Sequence, residues 1–164
     1  MIKYKSNTYY LFDNLPFIII WAGISIFLTY FFRDKPYLFL GTLVLSLFIL
    51  FLIITQLRKL ARVEFYENNI LIKYLFTGSE EHIEYSAIKE YQHLQGFRLT
   101  GLNVIIYIES GTSIIKKLKI TSVVKNNEFV EFARWIKQRN NDIKFKFFPS
   151  DIKLFEEYKK ELNT

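Results

Sequence analysis

Two uninterrupted apolar runs occupy residues 15–57, and beyond them the chain changes to short segments in which apolar and polar positions alternate. The runs LPFIIIWAGISIFLTYFF and YLFLGTLVLSLFILFLIITQL contain 18 and 21 residues and no charged side chain. As helices at about 1.5 Å per residue they would measure roughly 27 and 31 Å, against a hydrocarbon core of about 30 Å. They are expected to form a transmembrane helical hairpin over 15–32 and 37–57, and not a pair of buried soluble helices. Eleven Leu, Ile or Phe in the first run, each contributing roughly −0.3 to −0.6 kcal/mol, favour its insertion.

Arg33, Asp34, Lys35 and Pro36 alone join the runs, so the helices must lie antiparallel with both outer ends on one side. Lys3 and Lys5 before the hairpin, with Arg58, Lys59 and Arg62 after it, outweigh Arg33 and Lys35 in the turn. The positive-inside bias then puts both termini in the cytoplasm. Ser25 and Thr29 share one helical face and Thr42 and Ser46 another, with Ser25 near the depth of Ser46 and Thr29 near that of Thr42. Such residues allow close helix approach and bonds across it; alternatively, each bonds only to its own helix. Residues 1–14 read as a cytoplasmic, interfacial segment in which Tyr4, Tyr9, Tyr10 and Phe12 suit the headgroup region, or as a frayed tail. No small-residue cleavage signal follows the first run, so the hairpin is expected to be retained.

From Ala61 the period shortens to two. Val63 and Phe65 alternate with Glu64 and Tyr66; Glu67, Asn68 and Asn69 supply turn chemistry, with Asn tolerating positive φ; Ile70, Ile72 and Tyr74 resume the alternation. Next come a turn at 77–79 and strand patterns around Ile83 and Tyr85 and around Ile88, Tyr91 and Leu94, broken at Ser86 and Ala87. LNVIIYIE and SIIKKLKI form a hairpin about Ser110 and Gly111. Phe129, Phe132, Ala133 and Ile136 recur at helical spacing, predicting a helix capped by Asn126 or Asn127 and running to about Asn140. Residues 143–148 read as an added edge strand, and Ser150 opens a last helix through Ile152, Phe155 and Tyr158. The pattern is that of an α+β domain over 58–140, six or seven antiparallel strands and a closing helix, with an extension over 141–164.

Composition narrows the chemistry. The chain is 51% hydrophobic and 18% aromatic, yet its mean hydropathy is only +0.12, a balance that fits an anchor joined to a polar domain better than a transporter. Net charge is +6, with 18 Lys and Arg against 14 Asp and Glu from Arg58 onward. That excess suits anionic lipid, whereas no Arg-rich cluster points to nucleic acid. Cysteine is absent, which excludes disulfides and thiolate catalysis. His82 and His93 lack a third ligand at metal-binding spacing, and Glu80, Glu81 and Glu84 read as a solvated acidic turn rather than an acid and base pair. None of the six glycines begins a G-x-G step. No catalytic residue, metal or cofactor is expected, and the chain does not read as an enzyme. Lys116, Lys117 and Lys119, with Arg58, Lys59 and Arg62, are candidate contacts to anionic lipid, each worth about 1 kcal/mol near the surface; a solvated strand face is the alternative. Trp135, off the Phe129 and Phe132 stripe, either seals the domain or anchors a partner.

The order of two apolar runs, VEFYENNILIKY, EEHIEYSAIKEY, FRLTGLNVIIYIESGTSIIKKLKI and a closing helix resembles the bacterial pleckstrin-homology-like membrane proteins with an N-terminal two-helix hairpin. Tyr85, Ser86, Ala87 and Ile88 match that family's step into the next strand, and Gly101 with Leu102 the step before its central hairpin. The resemblance implies a strongly bent antiparallel barrel of about seven strands capped by the helix bearing Phe129 and Phe132. It also implies a small anchored module that binds lipid or protein without catalysis. Phosphoinositide-binding members carry Lys and Arg around the first strand turn; Glu67, Asn68 and Asn69 stand there in this chain, which argues against that ligand. The expected function is a binding scaffold tethered to the bacterial inner membrane, in contact with membrane lipids and with another membrane protein. The alternative is a regulatory or immunity-type subunit that occludes another membrane protein through its hairpin.

Overall fold

A strand forms before the apolar runs begin. In the computed structural model, which describes residues 1–94, 101–109, 111–125, 128–148 and 156, β1 (Tyr4–Asn7) pairs antiparallel with β2 (Ala61–Phe65), Tyr4 opposite Phe65 and Asn7 opposite Arg62. Residues 4–7 are thus an ordered strand of the domain and not a frayed tail. Tyr4 turns inward onto Phe132 and Trp135, with ring centroids 4.9 and 5.0 Å away, while Lys5 points out to solvent. Four residues of alternation are too few to be read as a strand when the partner lies across the apolar runs.

A 3-10 turn (Tyr9–Asn14) leads from β1 into α1 (Leu15–Phe31), and α2 (Pro36–Arg58) returns to β2. Pro36 occupies the first turn of α2, where its missing N–H leaves no helical bond unmade. Two four-stranded sheets follow. The first has the order β1-β2-β3-β4, with β3 (Asn69–Tyr74) and β4 (Glu80–Glu84). The second is built from β5 (Ile88–Leu94), β6 (Leu102–Ile108), β7 (Ile115–Thr121) and β8 (Lys144–Phe148) in the order β7-β6-β5-β8. A 3-10 turn at Tyr85–Ala87 joins β4 to β5.

Period-two alternation selects the faces that meet. Val63, Phe65, Ile70, Ile72 and Ile83 of the first sheet face Tyr91, Ile105, Leu118 and Ile120 of the second, and α3 (Phe129–Lys137) sets Phe129, Phe132, Ala133 and Ile136 into the same core. The expected caps at Asn126 and Asn127, the turn residue Ser110 and the helix after Ser150 lie outside the described residues. Strand β8 sits at an edge as the sequence suggests, but runs parallel to β5. Lys146 reaches Glu90 at 2.6 Å, and the Phe147 ring lies 5.5 Å from that of Phe129. Positive φ was expected at the Asn68 and Asn69 turn. Among the described residues only Gly78 and Gly111 adopt it, at 67° and 77°; the Tyr66 N–H closes the other turn by donating to the Asn69 carbonyl at 2.9 Å.

The second sheet runs across the first. β7 starts beside β4, with Lys116 3.9 Å from Glu81, and finishes beside β1, where the Ser6 hydroxyl donates to the Thr121 carbonyl at 2.7 Å. The 3-10 turn before α1 packs beside β7 as well. β7 therefore runs from β4 to β1 along the end of the first sheet that adjoins the helices. The Thr8 hydroxyl donates to the Lys59 carbonyl and the Leu75 N–H to the Leu60 carbonyl, both at 2.9 Å, which tie the first sheet to the end of α2.

Candidate functional site

The helical pair is the least water-compatible part of the molecule. α2 is one helix long and apolar enough to cross a membrane, with a mean hydropathy of 2.8 over its 18-residue core and little of that core buried. α1 is shorter, at 17 residues. Phe17, Phe27, Phe31, Leu47 and Phe51 are all more than half exposed, far beyond the scattered apolar residues of an ordinary soluble surface. Between the helices Ser25 is almost fully buried, the Ser46 and Ser25 hydroxyl oxygens lie 3.1 Å apart, and Thr29 lies 3.3 Å from Ser46. Thr42 instead bonds the Leu38 and Phe39 carbonyls of its own helix at 3.0 Å. Three of the four hydroxyl residues are thus brought together, while each also bonds its own helix: Ser25 to the Ala22 carbonyl, Thr29 to that of Ser25 and Ser46 to that of Thr42.

Alternation along β7 divides the basic cluster. Lys116 turns inward and pairs with Glu109 and Glu81, so it is not available to lipid as the sequence suggested. The Glu81 carboxylate also accepts from the Tyr74 hydroxyl at 3.0 Å and the Tyr107 hydroxyl at 2.8 Å. This group links β3 and β4 of one sheet to β6 and β7 of the other. Burial, and then the Glu81 charge, push the Tyr74 hydroxyl up to about 12, while the bond from Lys116 holds Glu109 below the usual carboxylate range. Lys117 and Lys119 point outward, opposite Ile106 and Val104 of β6. Arg58 and Lys59 are exposed where α2 ends, and Arg62 is exposed with its Nε 3.4 Å from the Tyr9 hydroxyl. Of the six candidate cations, the outward five therefore sit on β7 and around the helix exit.

The other candidate residues are engaged elsewhere. Trp135 packs edge-on against Tyr4 and Tyr85, stacks on Phe132, and carries the Arg139 guanidinium 3.7 Å over its ring; it seals the domain and is not presented as a partner anchor. His82 is exposed, with Nδ1 3.1 Å from the Asn69 amide. Glu80 faces Lys73 at 3.9 Å and Glu84 accepts from Ser86 at 3.2 Å. Among the described residues no three His, Asp or Glu side chains gather to hold a metal. An open groove of about 450 Å³ lies beside the β2 to β3 turn, lined by Glu67, Asn69, Glu84, Tyr85 and Arg139. Arg139 donates from Nε to the Glu67 carbonyl at 2.8 Å and from Nη1 to the Trp135 carbonyl at 2.7 Å. With two carboxylates beside it, this groove offers a phosphate little.

His93 lies in the core, a place that its spacing from His82 does not reveal. It is 1% exposed and packs against the Phe129 ring at 4.9 Å. The Asn103 amide satisfies its surroundings when Nδ2 donates to His93 Nδ1 at 2.8 Å and Oδ1 accepts from the Tyr91 hydroxyl at 2.9 Å and the Val123 N–H at 3.2 Å. Burial lowers the imidazole pKa from 6.5, and an amide N–H donated to Nδ1 also favours the neutral ring. The folded state thus binds fewer protons here than the unfolded state, so this contribution is complete above 6.5 and is lost as pH falls through the folded pKa. Thermal unfolding followed between pH 8 and 5 should show midpoints falling below about pH 6.5, and His93→Gln should flatten that fall.

No family model matches the chain, and none of the curated proteins matches it. Among solved structures, a match described as the Spt16D Pob3N heterodimer aligns with 54% of this chain and 45% of that one, at 14% identity and a TM-score of 0.36.

Proposed function

We propose that α1 and α2 both cross the bacterial inner membrane and hold a pleckstrin-homology-like domain on its cytoplasmic side, where it serves as a binding scaffold and not as an enzyme. The observation that carries this reading is the pairing of β1 with β2. Asn7 and Arg62 lie opposite each other in one sheet, with the whole helical pair between them in the chain. A crossing by α2 must therefore be matched by a return through α1. At about 1.5 Å per residue α1 measures about 26 Å, a shortfall that local bilayer thinning accommodates. Lys3, Lys5, Arg58, Lys59 and Arg62 at the domain end outnumber Arg33 and Lys35 at the turn, which favours a cytoplasmic domain.

Seven antiparallel strands in two crossing sheets, followed by α3 in the core, support the pleckstrin-homology-like reading and its bent barrel; β8 is an addition to that plan. Tethering supplies the mechanism. Confinement to a surface raises the effective concentration of the domain, so weak contacts with lipid or with a second membrane protein become sufficient. Since the chain lacks cysteine, single thiols report its topology directly. In intact cells a membrane-impermeant thiol reagent is expected to label Asp34→Cys and to spare Asn68→Cys until the membrane is opened. Any other pattern overturns the reading.

A further inference from the structure

Outside α1 and α2, six large apolar residues among those described are strongly exposed: Met1, Leu75, Phe76, Ile114, Ile115 and Phe148. Four of the six occupy two turns, Leu75 and Phe76 after β3 and Ile114 and Ile115 at the start of β7. Their exposures are 47%, 59%, 58% and 65%, so neither turn uses these side chains for the core.

The topology brings the two turns to one edge. The Leu75 N–H donates to the carbonyl of Leu60, two residues past the end of α2, so the first turn stands beside the helix exit. The second belongs to β7, which runs along the helix-adjoining end of the first sheet, and is joined to the first turn through Tyr74, Glu81, Tyr107 and Lys116. Ile115 shares the outward face of β7 with Lys117 and Lys119, which have no ion pair among the described residues. Apolar tips flanked by lysines suit a lipid interface, where apolar side chains enter the acyl boundary and ammonium groups stay with anionic headgroups.

We propose that this edge of the domain is itself seated in the bilayer, with Leu75 and Phe76 on one turn and Ile114 and Ile115 on the other entering the interface and Lys117 and Lys119 meeting anionic lipid. The inference rests on the reading of α1 and α2 as membrane helices, since it is the exit of α2 that brings the edge to the surface. Seated at two turns as well as by the helices, the domain holds a fixed orientation to the membrane, and the groove at Glu67 and Asn69, at the other end of the first sheet, faces away from it.

The test uses the full chain in nanodiscs of mixed neutral and anionic lipid, with an environment-sensitive fluorophore on single thiols at Phe76→Cys, Ile115→Cys, Asn68→Cys or Leu45→Cys. Bromine-labelled lipids should quench the probes at 76 and 115 severalfold more than the probe at 68, and aqueous iodide should show the reverse order. If the probe at 45 is quenched by lipid while those at 76 and 115 behave like that at 68, the seated edge is overturned and the anchor stands. If the probe at 45 is not quenched either, the anchor fails and the seated edge with it. Quenching at only one of 76 and 115 overturns the two-point seat.

Discussion

Phe132→Ala is expected to lower the unfolding free energy of the β domain by about 3–5 kcal/mol, the cost of removing a large aromatic from a packed core. Phe132 is fully buried, and its ring meets those of Tyr4, Phe65 and Tyr91 at centroid distances of 4.9, 5.6 and 5.5 Å. It thus joins β1, β2, β5 and α3 at one point, and no neighbour can fill the space without giving up its own contacts. Set against a total stability of about 5–15 kcal/mol, the loss is a large share of what holds the domain folded. Urea titration in detergent, followed by the fluorescence of Trp135 stacked on Phe132, measures it with Trp21 replaced by Phe. Phe132→Leu should recover part of the loss. A cost below about 1 kcal/mol, the scale of a surface substitution, would mean that α3 does not fill the core as described.

Removal of residues 1–7 is expected to cost at least as much, by a different route. The deletion takes away the whole of β1, and with it the ladder to β2, the Tyr4 contacts to Phe132 and Trp135, and the Ser6 bond to the Thr121 carbonyl. Val63 and Phe65 then lie on an open edge, and an unpaired edge invites association with other chains. Loss of the protease-resistant β domain and aggregation after detergent extraction are the expected readouts. Lys5→Ala, which alters only an outward side chain, should stay within about 0.5 kcal/mol of the parent. A truncated chain with unaltered protease resistance would show that β1 is dispensable.

Legibility in the sequence followed the range of the interaction. The Phe129, Phe132, Ala133 and Ile136 stripe announces α3 because a helix repeats within a few residues, and the core face of that helix is the one the stripe indicates. The alternating runs locate β2 to β7 for the same reason. Gly111 takes positive φ as its turn position suggests, whereas Asn68 and Asn69 do not, since tolerance of a conformation is no requirement for it. Ser25 and Ser46 meet near the depth that counting from the turn indicates. Lys116 neighbours Lys117 and Lys119 in sequence, but the pleat of a strand sends neighbours to opposite faces, and only the partners Glu81 and Glu109 reveal what Lys116 does.

The apolar helical pair, the tight turn joining it, the strand-rich character of the rest and the amphipathic helix are all written in local period and composition. Long-range packing, by contrast, closes a strand on each side of the helices into one sheet, sets β8 parallel to β5, lays Trp135 against Tyr4, Tyr85 and Phe132, and gathers exposed apolar turns at the helix exit. Those outcomes depend on contacts such as that of Thr8 with Ala61, 53 residues apart. Nothing in a residue's near neighbours records a partner at that distance, because packing selects it among all the faces the chain could bring together.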